Sequence, residues 1–108
     1  MKLFLMNTSI ITNPGTFKMS PITNEEGKAL LRNFEGEVIS AIGHDASAEA
    51  MSIVLEQPIL VNRVAVFFEV HDAAIVLKMR GRIPEGIILN LDEMNKIGFD
   101  LFILERVE

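Results

Sequence analysis

The stretch Val38-Ile39-Ser40-Ala41-Ile42-Gly43-His44-Asp45-Ala46-Ser47-Ala48-Glu49-Ala50-Met51-Ser52-Ile53-Val54-Leu55 changes its period part-way along. Its first five residues are an apolar run of strand length. From Asp45 onward the apolar residues Ala50, Met51, Val54 and Leu55 recur at helical spacing, and Pro58 stops the pattern. The stretch therefore predicts a strand over Val38–Ile42 that turns at Gly43-His44 into a helix, with Asp45 as its N-cap.

Outward from this unit the same rules apply. Lys2–Met6 is a short apolar run suited to a buried strand. The segment NTSIITNPGTFKMSP that follows is rich in Asn, Thr, Ser, Gly and Pro, and reads as a long loop of the kind that often carries function. Thr23-Asn24-Glu25-Glu26 is a capping-box pattern that opens a helix to about Arg32. Val64–Val70 is β-branched and aromatic on both faces, which predicts a central strand. His71-Asp72 then forms a hairpin turn, Ala74 to about Arg82 returns as the next strand, Asn90-Leu91-Asp92-Glu93 opens a short helix, and Phe99–Leu104 closes the sheet. The expected class is α/β (α+β), one mixed sheet flanked by helices in the order β-α-β-α-β-β-α-β, over a single domain spanning residues 1–108.

Composition narrows the chemistry. A chain of 108 residues can bury roughly two-thirds of its unfolded surface. Its 49% hydrophobic and 23% charged residues belong to a globular protein. No apolar run reaches the roughly 20 residues a bilayer requires, so no membrane partner is expected. The opening MKLFLMNTSIIT is broken early by Asn7, Thr8 and Ser9, and reads as a strand rather than a signal peptide; the expected location is cytoplasmic. The absence of cysteine removes disulfides, thiolate nucleophiles and cysteine-based metal sites. The two histidines, His44 and His71, show no metal-ligand spacing, and no cofactor is expected. A net charge of −5 argues against binding long nucleic acid, while leaving room for a local cationic pocket.

Three features are able to carry chemistry. At Gly43-His44-Asp45, glycine permits close approach of a ligand, and the amides near Ala46 and Ser47 open a helix N-terminus suited to a phosphate oxygen. An imidazole there exchanges protons near neutral pH; alternatively Asp45 simply caps the helix and His44 fills space. Lys78, Arg80 and Arg82 alternate, so a continuing strand puts all three on one face, where they suit phosphates or pair with nearby glutamates. In Arg82-Ile83-Pro84-Glu85-Gly86 a carboxylate three residues from an arginine can orient that arginine or an imidazole, or can lie in an ordinary exposed turn. Asn7 and Ser9 add hydrogen-bonding groups beyond the first strand.

Several blocks, LMNTSIITNPGTF, SAIGHDAS, VNRV at 61–64, RIPEG at 82–86 and FILERV, resemble the viral and bacterial ring nucleases that act as type III anti-CRISPR proteins. The resemblance covers nearly the whole chain. It implies metal-independent cleavage of cyclic tetraadenylate, a second messenger of type III CRISPR defence, by a homodimer encoded on a mobile genetic element. By position it makes His44 the catalytic histidine, Arg82 and Glu85 the other active-site pair, and Asn7, Ser9 and Ser47 ligand contacts. Gly43, which lets a phosphate come close, and Arg80, which steers the ligand's negative charge, are the other expected ligand-binding residues. The chemistry needs only the ribose 2′-hydroxyl aligned in line, the extra phosphorane charge stabilised, and the departing 5′-oxygen protonated. The products would be linear oligoadenylates with 2′,3′-cyclic phosphate ends. The other expectations are a non-catalytic sponge or sensor of cyclic oligonucleotide, and a protein-interaction module.

Overall fold

Alternation along two neighbouring strands divides the core into two layers. In β1 (Lys2–Met6), Leu3 and Leu5 point to one side and Phe4 and Met6 to the other; in β4 (Ala73–Met79), Ile75 and Leu77 face one way and Ala74 and Val76 the other. The computed structural model describes every residue of the chain except Glu85 and Ile87. Its elements run β1, β2 (Phe17–Pro21), α1 (Asn24–Asn33), β3 (Glu37–Ser40), α2 (Asp45–Leu55), β4, α3 (Leu91–Ile97) and β5 (Phe99–Arg106). The mixed α+β fold carries one five-stranded sheet, ordered β2-β5-β4-β1-β3. β1 is parallel to both β3 and β4, while β5 runs antiparallel to β4 and β2.

All three helices cover the Leu3/Leu5 face. Met51, Val54 and Leu55 of α2, Leu31 of α1 and Met94 of α3 are buried against it. The helix starts obey local chemistry: Thr23 and Glu26 complete both bonds of a capping box, and Asn90 Oδ1 accepts from the Glu93 amide at 2.9 Å. The start of α2 differs from the sequence reading. Its N-cap is His44, Asp45 is the first helical residue, and no side chain caps the end.

The fifth strand is also a correction. Val64–Val70 is extended but joins no ladder, because β4 already has β1 on one edge and β5 on the other. The segment lies instead across the second face of the sheet, burying Val66 and Phe68 against Phe4, Met6 and Leu104. Phe68 takes edge-to-face contacts from Phe4 and Phe17, with centroids 5.2 and 5.5 Å away. Side chains supply the bonds a ladder would have given. The Asn13 carboxamide donates to the Phe68 carbonyl at 2.8 Å and accepts the Phe68 amide at 3.0 Å, and the Thr12 hydroxyl donates to the Val66 carbonyl. The sheet's outer strand comes from Phe17–Pro21, inside the segment read as loop; Pro21 is tolerated there because an edge strand leaves one side unpaired.

Just before β4, the buried Asp72 carboxylate accepts the Lys2 amide at 2.8 Å and the Glu69 amide at 2.9 Å. It thereby ties the start of β1 to the covering segment.

Candidate functional site

Parallel β1, β3 and β4 all end on the same side of the sheet, and ligands of open α/β sheets bind outside such carboxyl ends. There a hollow of ≈ 730 Å³ is lined by His44, Ala46 and Ser47 from the start of α2, by Met79 at the end of β4 and by Gly81, Arg82 and Ile83 beyond it. Residues 38 positions apart in the chain, His44 and Arg82, are thus brought to one cavity. The uncapped first turn of α2 opens into it, so amides with no side-chain partner meet the hollow beside an imidazole and a guanidinium.

A second hollow of ≈ 290 Å³ adjoins it, sharing Ser47 and Met79 and adding Asn7, Ala50, Leu77 and Lys78. Asn7 Nδ2 donates to Ser47 Oγ at 3.2 Å, joining the end of β1 to the first turn of α2.

The remaining expected residues are dispersed. Gly43 lies at the rim, where an added Cβ would sit 3.4 Å from Arg63 Cγ. Ser9 is exposed in the loop after β1 and lines neither hollow. Glu85 lies outside the described residues. The expected common face of Lys78, Arg80 and Arg82 does not form, because β4 ends at Met79. Arg80 instead forks onto Asp100, with Nε to Oδ2 at 3.1 Å and Nη2 to Oδ1 at 2.6 Å. This contact holds the Asp100 carboxyl below the usual range, with Lys78 adding to the effect, and raises the Arg80 pKa. Arg82 makes no ion pair among the described residues and reaches the main hollow.

One residue was missed by the sequence reading. Arg63, immediately before the covering segment, donates from Nε to the Gly43 carbonyl at 3.0 Å and so holds the peptide that leads into His44. The VNRV block contained it, but an arginine whose partner is a backbone carbonyl 20 residues away has no local signature. Among the described residues no group of three His, Asp or Glu side chains is placed to hold a metal ion, and no helix is long and apolar enough to cross a membrane.

The whole chain has relatives. ORF117 of Acidianus two-tailed virus is 37% identical over 110 residues, covering 98% of this chain and 94% of that protein. YddF of Bacillus subtilis is 28% identical over the full length of both. Protein 26 of a Sulfolobus islandicus filamentous virus is 29% identical, covering 97% and 92%. Their names state no activity. The solved structure of B116 from Sulfolobus turreted icosahedral virus superposes with a TM-score of 0.83 at 24% identity, covering 97% of this chain and 99% of that one, and so shares the fold. The STIV B116-like family profile matches residues 3–101, and the chain is a member of that family.

Proposed function

We propose that the protein is a ring nuclease that opens cyclic tetraadenylate by attack of a ribose 2′-hydroxyl on the adjacent phosphorus. The observation that carries this reading is the single hollow shared by His44, Arg82 and the uncapped start of α2. A phosphodiester seated there has its non-bridging oxygens against the α2 amides and the Arg82 fork, which favour the charge that grows in the phosphorane. The 2′-hydroxyl gives up its proton to water as its oxygen bonds to phosphorus and the bond to the 5′-oxygen breaks. His44 supplies the proton that the leaving 5′-oxygen takes up, giving a 2′,3′-cyclic phosphate and a 5′-hydroxyl. Glu85, by resemblance, orients this pair.

The adjoining hollow suits an adenine. The partly exposed Met79, backed by the buried Ala50 and Leu77, offers an apolar wall to the base's face, and the Asn7 carboxamide carries the donor and acceptor that match an adenine edge. The protein acts as a homodimer in this reading. Ile10 and Val64 flank one hollow beside the Asn7 loop, and with Ile11 and Phe67 they leave an exposed apolar surface that a second copy would cover. A twofold dimer then meets a symmetric ring with two equivalent sites. By destroying the messenger, the activity damps type III CRISPR signalling.

The test is incubation of labelled cyclic tetraadenylate with excess over enzyme, in EDTA. Multiple turnovers to linear products with cyclic phosphate ends are expected. Stoichiometric binding without turnover would replace the nuclease by a sponge, and no binding would overturn both. Sedimentation in parallel is expected to give a dimer that Val64→Glu dissociates.

A further inference from the structure

Arg80 belongs to neither hollow, yet it is one of the most firmly placed side chains on the surface. Its amide donates to the Gly98 carbonyl at 2.9 Å, a last rung beyond the β4–β5 register. Its side chain then folds over Gly98: a Cβ at that position would lie 3.1 Å from Arg80 Cδ, and the φ of +88° itself favours glycine. Two parallel bonds finish the contact on Asp100, the only arginine ion pair among the described residues. The chain leaving β4 is therefore clamped to the α3–β5 turn at residue 80, two residues before Arg82.

We infer that the Arg80–Asp100 fork is a strut that fixes the direction in which the chain leaves β4, and so places the Arg82 guanidinium in the hollow with His44. Arg80 is then a positioning residue and Asp100 its anchor. This deepens the reading of the hollow given above and rests on it. Exposed ion pairs add little to stability, whereas a two-point arginine fork specifies direction. Gly98 is what lets the fork form, because any larger residue there would displace the arginine stem.

The test compares Arg80→Ala, Arg80→Lys and Asp100→Ala in the full chain by three readouts: backbone NMR order parameters at Gly81, Arg82 and Ile83, thermal midpoint, and kcat and KM on cyclic tetraadenylate. The order parameters are expected to fall in all three, from about 0.85 to below about 0.6. The midpoint should stay within about 2 °C, and kcat should fall at least fivefold with KM changed less than twofold. Lysine should fail to rescue, since an ammonium cannot make the fork. Unchanged order parameters would overturn the strut whatever the activity. Lowered order parameters with unchanged kcat would also overturn it, and so would a midpoint lowered by more than about 10 °C, which would make the pair a folding element. If wild type left the ring uncut, the nuclease reading would fall, while the order parameters would still decide whether the fork fixes residues 81–83.

Discussion

Replacing Asn13 by alanine should separate a side chain that stands in for a β-strand from one that merely decorates a loop. Asn13 is 8% exposed, and its carboxamide makes two bonds to the Phe68 backbone, at 2.8 and 3.0 Å. In the variant the Phe68 carbonyl keeps the Arg106 Nη1 donor at 2.7 Å, so one group remains satisfied. The Phe68 amide is left buried with no partner, which costs about 1–3 kcal/mol, and loss of the other bond adds about 1 kcal/mol. The sum is about 2–4 kcal/mol. For a chain of 108 residues the melting entropy is about 0.23 kcal/mol/K. The midpoint should therefore fall by roughly 9–17 °C in a two-state melt followed by circular dichroism. Thr12→Val removes a bond from an exposed residue to the same segment and should cost less than about 1.5 kcal/mol. The consequence reaches the site, since the segment held by Asn13 carries Arg63 up to the Gly43 carbonyl. An Asn13→Ala midpoint within 2 °C of wild type would refute the idea that side-chain bonds replace a ladder here.

Arg63→Ala should loosen the peptide before His44, lowering turnover about tenfold while moving the midpoint by less than about 3 °C; a change in stability alone would contradict that role. Gly36→Ala should cost about 1–3 kcal/mol in urea titration, because its φ is +150° and a Cβ would meet the Met1 carbonyl at 2.6 Å. Gly43→Ala meets only the flexible Arg63 stem at 3.4 Å, so it should fold normally and lose ligand affinity. The folded carboxyls of Glu26, bonded by the Thr23 backbone and hydroxyl, and of Asp100, bonded by Arg80, lie below their ordinary values. Their contributions are therefore complete above about pH 5 and are lost as pH falls through the folded values, so Glu26→Gln and Asp100→Asn should flatten the midpoint's dependence between pH 5 and 3.

What could be read from the residues was what local chemistry decides. Thr23 with Glu26 and Asn90 with the Glu93 amide are signals complete within four residues, and α1 and α3 start where those signals put them. The apolar run Lys2–Met6 and the helical spacing of the α2 stripe are likewise legible in the residues alone. Apart from the N-cap of α2, the differences are matters of partnership. Phe17–Pro21 becomes a strand only because Phe102–Arg106, more than 80 residues away, offers it an edge. Val64–Val70 has the composition of a strand, but both edges of β4 are taken, and Phe67 is left 59% exposed. Period-two spacing puts Arg80 and Arg82 on one face; β4 ends at Met79 before the period is finished, and the two arginines go to different duties, Arg80 to Asp100 and Arg82 to the hollow. Asn13 has no signal in the sequence and Asp72 reads only as a turn residue, because their partners are backbone groups, which the sequence does not mark. His44 stands out in the sequence and the resemblance pairs Arg82 with it; the physical ground for that pairing is the hollow both residues line.

The most direct test of His44 as proton donor uses a cyclic tetraadenylate in which sulfur replaces the leaving 5′-oxygen at each junction. A thiolate departs without protonation, so an acid at that point becomes unnecessary. On the natural ring, His44→Ala should be slower than wild type by about 10²–10⁴-fold. On the sulfur-substituted ring it should return to within about tenfold of wild type, with linear products ending in cyclic phosphate. An equally large deficit on both rings would contradict the account, since His44 would then act on something other than the leaving group.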